Sequence, residues 1–356
     1  MAIPNAEYWA KRFTELEKKQ NQNSVEFYNQ VKEEFDKAQA QIQKELDVFF
    51  TRFADNNNVS MQEAKKILND KELKEFKWTV EEYIQKGREN AVNGKWINQL
   101  ENASTRWRIS RLESLQIQLQ QQAEILFGNY ADEFDKFIIN TYKNERLRTA
   151  YEIQRGINVG SQITGIDEDK LKIMINKPWT VDGENFSMRI WRSKTQLINE
   201  LNTQLIQACI LGHSVDKMSS QLAGLTKVFD MDFQKAKSQS ARLINTESAY
   251  FSTLSKKNTF QDLDVEEYEI VATLDRKTSE ICQDMDGKHF PVSQMQVGVN
   301  APPFHVNCRT TTCPYLNDEL TTDNKRIARG EDGKTYYVPA DMTYKEWKEK
   351  FVLGKT

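Results

Sequence analysis

Between residues 24 and 54 the apolar side chains fall into one stripe. Tyr28, Val31, Phe35, Ala38, Ile42, Leu46, Phe49 and Phe53 follow one another at intervals of three or four. A helix turns such positions to one side, so the spacing predicts a helix of about eight turns. Its opposite side carries Lys32, Glu33, Asp36, Lys37, Gln43 and Lys44. Trp9, Phe13 and Leu16 predict a shorter helix before it. Ser60 with Glu63, and Thr79 with Glu82, form capping boxes that predict short helices at 60–70 and 79–92. Ile109, Leu112, Gln116, Leu119, Ala123 and Leu126 share one face of a helix over 104–127. The glutamine-rich run 116–122 keeps this period, so it reads as a polar helix face. Helical pattern continues from 130 to 158, loosened at Gly156 and Gly160.

The passage 159–190 contains Gly160, Gly165, Pro178 and Gly183, and it reads as a linker or irregular hairpin. Helix returns over 187–211, with Gly212 as its C-terminal cap, and again over 232–258. After residue 259 the period drops to two. Tyr268, Ile270, Ala272 and Leu274 alternate with Glu267, Glu269, Val271 and Thr273, which predicts a strand over 266–274. A strand end, a short helix and a glycine turn at Gly287 follow. In the tail, Tyr336 to Pro339 and Tyr344 to Trp347 read as a small hairpin and a short helix. The fold expected is mainly α with a small C-terminal α+β domain. Long N-terminal helices fill 1–158, the linker 159–190, a compact domain with a short β-sheet 191–315, and a tail 316–356.

Stripes of this length have two uses: packing within a helical bundle, and docking to a partner protein. Composition narrows the classes further. The chain of 356 residues has 49 Lys and Arg against 52 Asp and Glu, a net charge of -3. That balance excludes a generally basic nucleic-acid coat. A local cluster, Arg106, Arg108 and Arg111, is a candidate for touching DNA, with a solvated helix face as the competing account. No apolar run approaches the roughly 20 residues that cross a bilayer, and Met1 to Glu7 has no leader pattern. The chain is therefore expected to be made in a cytosol without a membrane anchor, its cysteines reduced.

Three of the four cysteines and two of the three histidines crowd into residues 282–313. Cys282, His305, Cys308 and Cys313 would supply the four sulfur and nitrogen ligands of a structural zinc site, although no CxxC pair is present. The competing account makes the cysteines small buried residues and His305 a hydrogen-bonded polar core residue. His289 has no assigned role, and His213 reads as a surface residue beyond a helix end. A third account makes the chain a hydrolase, a nuclease or peptidase, with His305, Arg309, Asp275 and Glu280 as acid–base or phosphate-handling groups. No nucleophile elbow, phosphate loop or HExxH accompanies them. Asp275 and Arg309 therefore read as an ion pair locking the strand to the following loop, which Pro302 and Pro303 stiffen before a turn at Asn307.

Three motifs recur together here. They are Thr273-Leu274-Asp275-Arg276-Lys277-Thr278, Cys282-Gln283-Asp284-Met285-Asp286-Gly287, and Pro302-Pro303-Phe304-His305-Val306-Asn307-Cys308-Arg309. With the helix segment Arg242 to Ser248 upstream, this pattern resembles the head morphogenesis domain of tailed bacteriophages, the phage Mu F-like family, over about residues 190–315. The opening Glu7 to Phe13 is similar to the start of minor head proteins from phages of Gram-positive hosts. Arg309 is followed by Thr310 where many members have a second cysteine. The resemblance marks Asp275, Arg276, Gly287, Pro302, Pro303, Asn307 and Arg309 as family-motif positions. It implies a minor capsid protein with no catalytic role, active in procapsid assembly. It further implies association with the portal protein and with other capsid or scaffold proteins. DNA contact during packaging or ejection belongs to the same expectation. The place implied is the virion, at the capsid interior or portal vertex, and the host cytoplasm during assembly.

Overall fold

The computed structural model describes residues 6–55, 111–158, 160, 165–210, 215–315, 325–329 and 335–339. The helices expected at 60–70 and 79–92 lie outside the described residues, as do Arg106, Arg108, Gly212, His213 and Tyr344 to Trp347. Among the described residues the elements are α1 (Ala6–Asp55), α2 (Arg111–Ile157), α3 (Glu168–Ile175), α4 (Phe186–Ile210), α5 (Val215–Asp262), β1 (Glu267–Val271), α6 (Glu280–Met285), β2 (His289–Pro291), β3 (Thr311–Tyr315), β4 (Lys325–Arg329) and β5 (Thr335–Pro339). The protein is mainly helical with a small C-terminal sheet, as the hydrophobic pattern indicates.

The helices are longer than the periodicity predicts. The two helices expected before residue 55 are one, α1. The apolar stripe breaks between Leu16 and Phe27 because its buried positions there are polar. Gln20 and Ser24 lie in the interior, where Ser24 Oγ bonds Gln20 O at 3.1 Å and Ser248 Oγ at 2.8 Å. A satisfied buried polar group extends a helix face as well as an apolar one does. The helices expected over 104–127 and 130–158 likewise merge into α2, across Gly128. The helix expected from 232 begins at Val215, and buried Phe229 and Phe233 carry its stripe backwards. The passage 159–190 contains the unexpected helix α3. Asp167 caps it by accepting from the Asp169 and Lys170 amides, and Leu171 and Ile175 are buried.

The chain divides into two compact units, and α1, α2 and α5 contribute to both. One unit, residues 29–133 and 178–240, has helices and no strand among its described residues. Phe35 of α1 meets Phe127 of α2 edge-on at 5.4 Å between ring centroids and Phe233 of α5 at 6.5 Å. Lys194 of α4 reaches the buried Glu124 of α2 at 2.6 Å, and Lys237 of α5 reaches Asp36 of α1 at 2.5 Å.

The other unit, residues 1–28, 134–177 and 241–356, holds the sheet. The order is β2-β1-β3, antiparallel throughout, with Tyr268 of β1 opposite Phe290 and Pro314. Trp9, Phe13, Ile153 and Phe260 from the helices form one core with Tyr268, Ile270, Val292, Met295 and Cys313. Arg12 of α1 grips Glu152 of α2 through two bonds of 2.6 Å. Lys256 of α5 is buried 3.1 Å from the buried Glu145 of α2, and donates to Thr311 Oγ1 at 2.7 Å. In the tail, Tyr336 to Pro339, expected as a hairpin, lie in the single strand β5, which pairs antiparallel with β4, a strand not expected from the sequence.

Two glycines of α2 separate close packing from helix propensity. A Cβ on Gly156 would drive into the buried Trp9 ring, whereas a Cβ on Gly128 would meet nothing within 4 Å. Alanine is worth about 1 kcal/mol over glycine inside a helix, while overpacking a core costs about 1–3 kcal/mol. Gly128→Ala is expected to raise the urea midpoint and Gly156→Ala to lower it, the opposite signs arising from the contacts with Trp9 and Tyr8.

Candidate functional site

The three motifs, spread between Thr273 and Arg309 in sequence, meet in one hydrogen-bonded clasp at the end of β1. Past Val271 the strand loses its ladder partner, and side chains take over. Ala272 N–H donates to Asp286 Oδ1 at 2.8 Å, so the aspartate before Gly287 completes the pairing. Gly287 sits at φ +75° and donates its N–H to Ile270 O at 2.9 Å, a backbone state that favours glycine. Thr273 Oγ1 donates to Arg309 O at 2.9 Å. Asp275 receives both arms of Arg309, at 2.5 and 2.8 Å, and also the Lys277 amide at 2.9 Å and Thr278 Oγ1 at 3.1 Å. The ion pair thus joins the strand end to the loop after Pro302 and Pro303. Both prolines are buried, and the bond between them is cis.

The upstream helix motif enters through Asn307. That residue turns the chain at φ +60°, a conformation asparagine tolerates. Asn245 Nδ2 donates to Asn307 Oδ1 at 3.2 Å, and the Asn307 amide donates to Thr246 Oγ1 at 3.2 Å. Asn245 and Thr246 lie inside the segment 242–248, and their role in seating the loop is not legible from sequence. Arg276 is exposed.

Inside the clasp lies a smaller core of Ala272, Cys282 and Cys308, with Phe304 packed against it. Cys282 comes from the first turn of α6, and His305 and Cys308 from the loop. Cys282 Sγ is 3.2 Å from His305 Nε2 and 3.6 Å from Cys308 Sγ. All three ligand atoms lie within 4.8 Å of one another. His305 Nδ1 is 2.8 Å from Val306 O, which assigns its proton to Nδ1 and leaves Nε2 as an acceptor toward the sulfur. The Cys282 hydrogen bond draws the Cys308 thiol down from its ordinary value, against burial and with help from backbone bonds at Phe304 and Thr310. The same pairing, with burial, pushes Cys282 up.

Cys313, expected as a fourth ligand, is not in this group. It lies at the middle of β3, opposite Glu269, in the larger core with Trp9 and Tyr268. A strand advances about 3.3 Å per residue, so β3 carries Cys313 away from the loop that holds Cys308. The residues weighed for acid–base chemistry are also dispersed. Asp275 and Arg309 are committed to each other, and Glu280 is exposed at the start of α6. His289 stacks on Tyr315 at 4.1 Å and contacts Glu267 at 3.2 Å. Beside the clasp, a polar pocket of about 160 Å³ is lined by Gln20, Ser24, Ser252, Lys256, Asn307 and Arg309, among others. Its polar α1 and α5 residues escape a search for apolar stripes.

Burial opposes ionisation of Asp275, yet Arg309 and the Lys277 amide outweigh it and hold the carboxyl below its ordinary value. Such a group stabilises the fold fully above the unfolded value of about 3.9 and ceases to do so as pH falls through the lower folded value. Arg309→Ala, which strands a buried carboxylate, is expected to cost about 3 kcal/mol at neutral pH. Urea titrations from about pH 6 to about pH 3 should show this penalty shrinking with acid, as the stranded Asp275 of the variant, raised by burial, takes up its proton before the paired one does.

No curated protein and no solved structure matches the chain. A family model does: residues 199–313 match phage Mu protein F like protein. The matched span contains Asn245, Thr246, Asp275, Cys282, Asp286, His305, Asn307 and Arg309, which are the residues that build the clasp. The clasp thus lies wholly inside the segment of this chain, residues 199–313, that is similar to phage Mu protein F like protein.

Proposed function

We propose that the chain is a minor head protein that acts in procapsid assembly, bound to the portal, and stays in the virion. The observation that carries this reading is the family match over 199–313, together with the geometry that makes the family motifs one structural clasp. A phage head is assembled from partners, and the long helices are suited to meeting them. On α2, Leu147 and Tyr151 stand one turn apart, 61% and 60% exposed. Large apolar residues at i and i+4 form a short ridge of the kind that seats in a partner's groove. The committed hydrogen bonds of Asp275 and Arg309 support a scaffolding role for the motif over a catalytic one. No helix among the described residues is long and apolar enough to cross a membrane.

Portal protein and other capsid or scaffold proteins are the partners in this reading, with DNA met in passing. Affinity purification of the tagged chain from cells making procapsids is expected to recover portal protein, and purified particles to contain the chain at low copy. Leu147→Asp with Tyr151→Asp, both on the surface, should weaken portal recovery while leaving helicity unchanged. Absence of the chain from both procapsids and particles would refute the proposal.

A further inference from the structure

The sulfur and imidazole group inside the clasp has the geometry of a metal site. We propose that Cys282, His305 and Cys308 together hold one zinc ion, with water in the fourth position. The inference concerns this chain's own side chains and stands whether or not the portal is its partner.

Ligand chemistry comes first. Two cysteine sulfurs and one imidazole nitrogen suit zinc and exclude magnesium and calcium, which take oxygen. Distance comes second. Zinc–sulfur bonds of about 2.3 Å and zinc–nitrogen bonds of about 2.0–2.1 Å, set at tetrahedral angles, separate the ligands by about 3.8 Å (sulfur–sulfur) and about 3.5 Å (sulfur–nitrogen). The structure has 3.6 Å between Cys282 Sγ and Cys308 Sγ, and 3.2 Å between Cys282 Sγ and His305 Nε2. Two edges of a zinc tetrahedron are thus nearly in place.

Orientation is the third argument. A metal-binding histidine usually donates its other ring N–H to a carbonyl or carboxylate, which fixes the ring. His305 Nδ1 makes that bond to Val306 O, so Nε2 is the atom turned to the sulfurs. The supporting shell is rigid as well. Asp275–Arg309, Thr273–Arg309 and the Asn307 contacts hold the loop, and Gln283 Nε2 ties α6 to Thr278 O at 2.6 Å. An ordinary thiol core would account for the two buried cysteines. A third ligand atom, His305 Nε2, stands 3.2 Å from Cys282 Sγ and within 4.8 Å of Cys308 Sγ, with the far side of its ring already bonded. Such an ion would staple α6 to the loop and add to the hold of the ion pair.

The test uses the full chain, purified reduced and without chelator. Elemental analysis is expected to find about one zinc per chain. After exchange for Co²⁺, the visible spectrum should show tetrahedral d–d bands, with thiolate charge transfer of a strength corresponding to two sulfurs. Cys282→Ser, Cys308→Ser and His305→Ala should each lower metal content at least tenfold, and Cys313→Ser should leave it unchanged. Helical circular dichroism identifies any variant that has failed to fold, and the wild-type cobalt spectrum does not depend on the variants. Three findings would each overturn the proposal: reduced, folded wild-type chain that takes up no stoichiometric Zn²⁺ or Co²⁺; charge transfer of a strength corresponding to three thiolates; or a Cys282–Cys308 disulfide in the freshly isolated protein.

Discussion

Asp275 and Arg309 form the contact around which the clasp of the sheet-bearing unit is organised. The carboxylate is mostly buried and accepts from the guanidinium, from a backbone amide and from a hydroxyl. A buried pair of this kind adds little net stability when complete, because desolvating two charges offsets most of their attraction. Its consequence is specificity. Any arrangement of the loop that removes Arg309 strands a charge, so the chain has one low-energy way to bring residues 302–309 against the end of β1. Asn307 then reaches Asn245 and Thr246 of α5, and Cys308 and His305 reach Cys282. The motifs of this segment are thereby the parts of one device, each supplying a bond the others need.

The helical part follows a different logic. Its apolar stripes bury Phe35, Phe127 and Phe233 in one unit and Trp9, Phe13 and Phe260 in the other. Buried polar contacts are interleaved with them: Ser24 with Ser248, Arg12 with Glu152, and Lys256 with Glu145 and Thr311. Non-directional apolar packing tolerates sliding of one helix along another, whereas a buried hydrogen bond has one partner at one height. These contacts set the register of α1, α2 and α5 within the sheet-bearing unit.

Much of this was legible from residue order. The helical stripes, the alternation around Tyr268 and Ile270 and the turn at Gly287 all rest on periodicity or local backbone preference. Element ends were less legible, for an identifiable reason. Gln20 and Ser24 are polar yet buried, so α1 looks interrupted where it is continuous. The cap at Asp167 starts α3 inside a passage whose glycines and Pro178 suggest irregular chain.

By itself, the sequence determined which residue types crowd together between 273 and 309, and that Asp275 and Arg309 carry complementary charges. It could not decide which of the four candidate ligands converge. That choice was made by tertiary structure, because β3 carries Cys313 into the core with Trp9 while the turn at Asn307 brings Cys308 back toward α6. Spacing along a chain counts residues; ligation and pairing depend on direction, which only the folded backbone supplies.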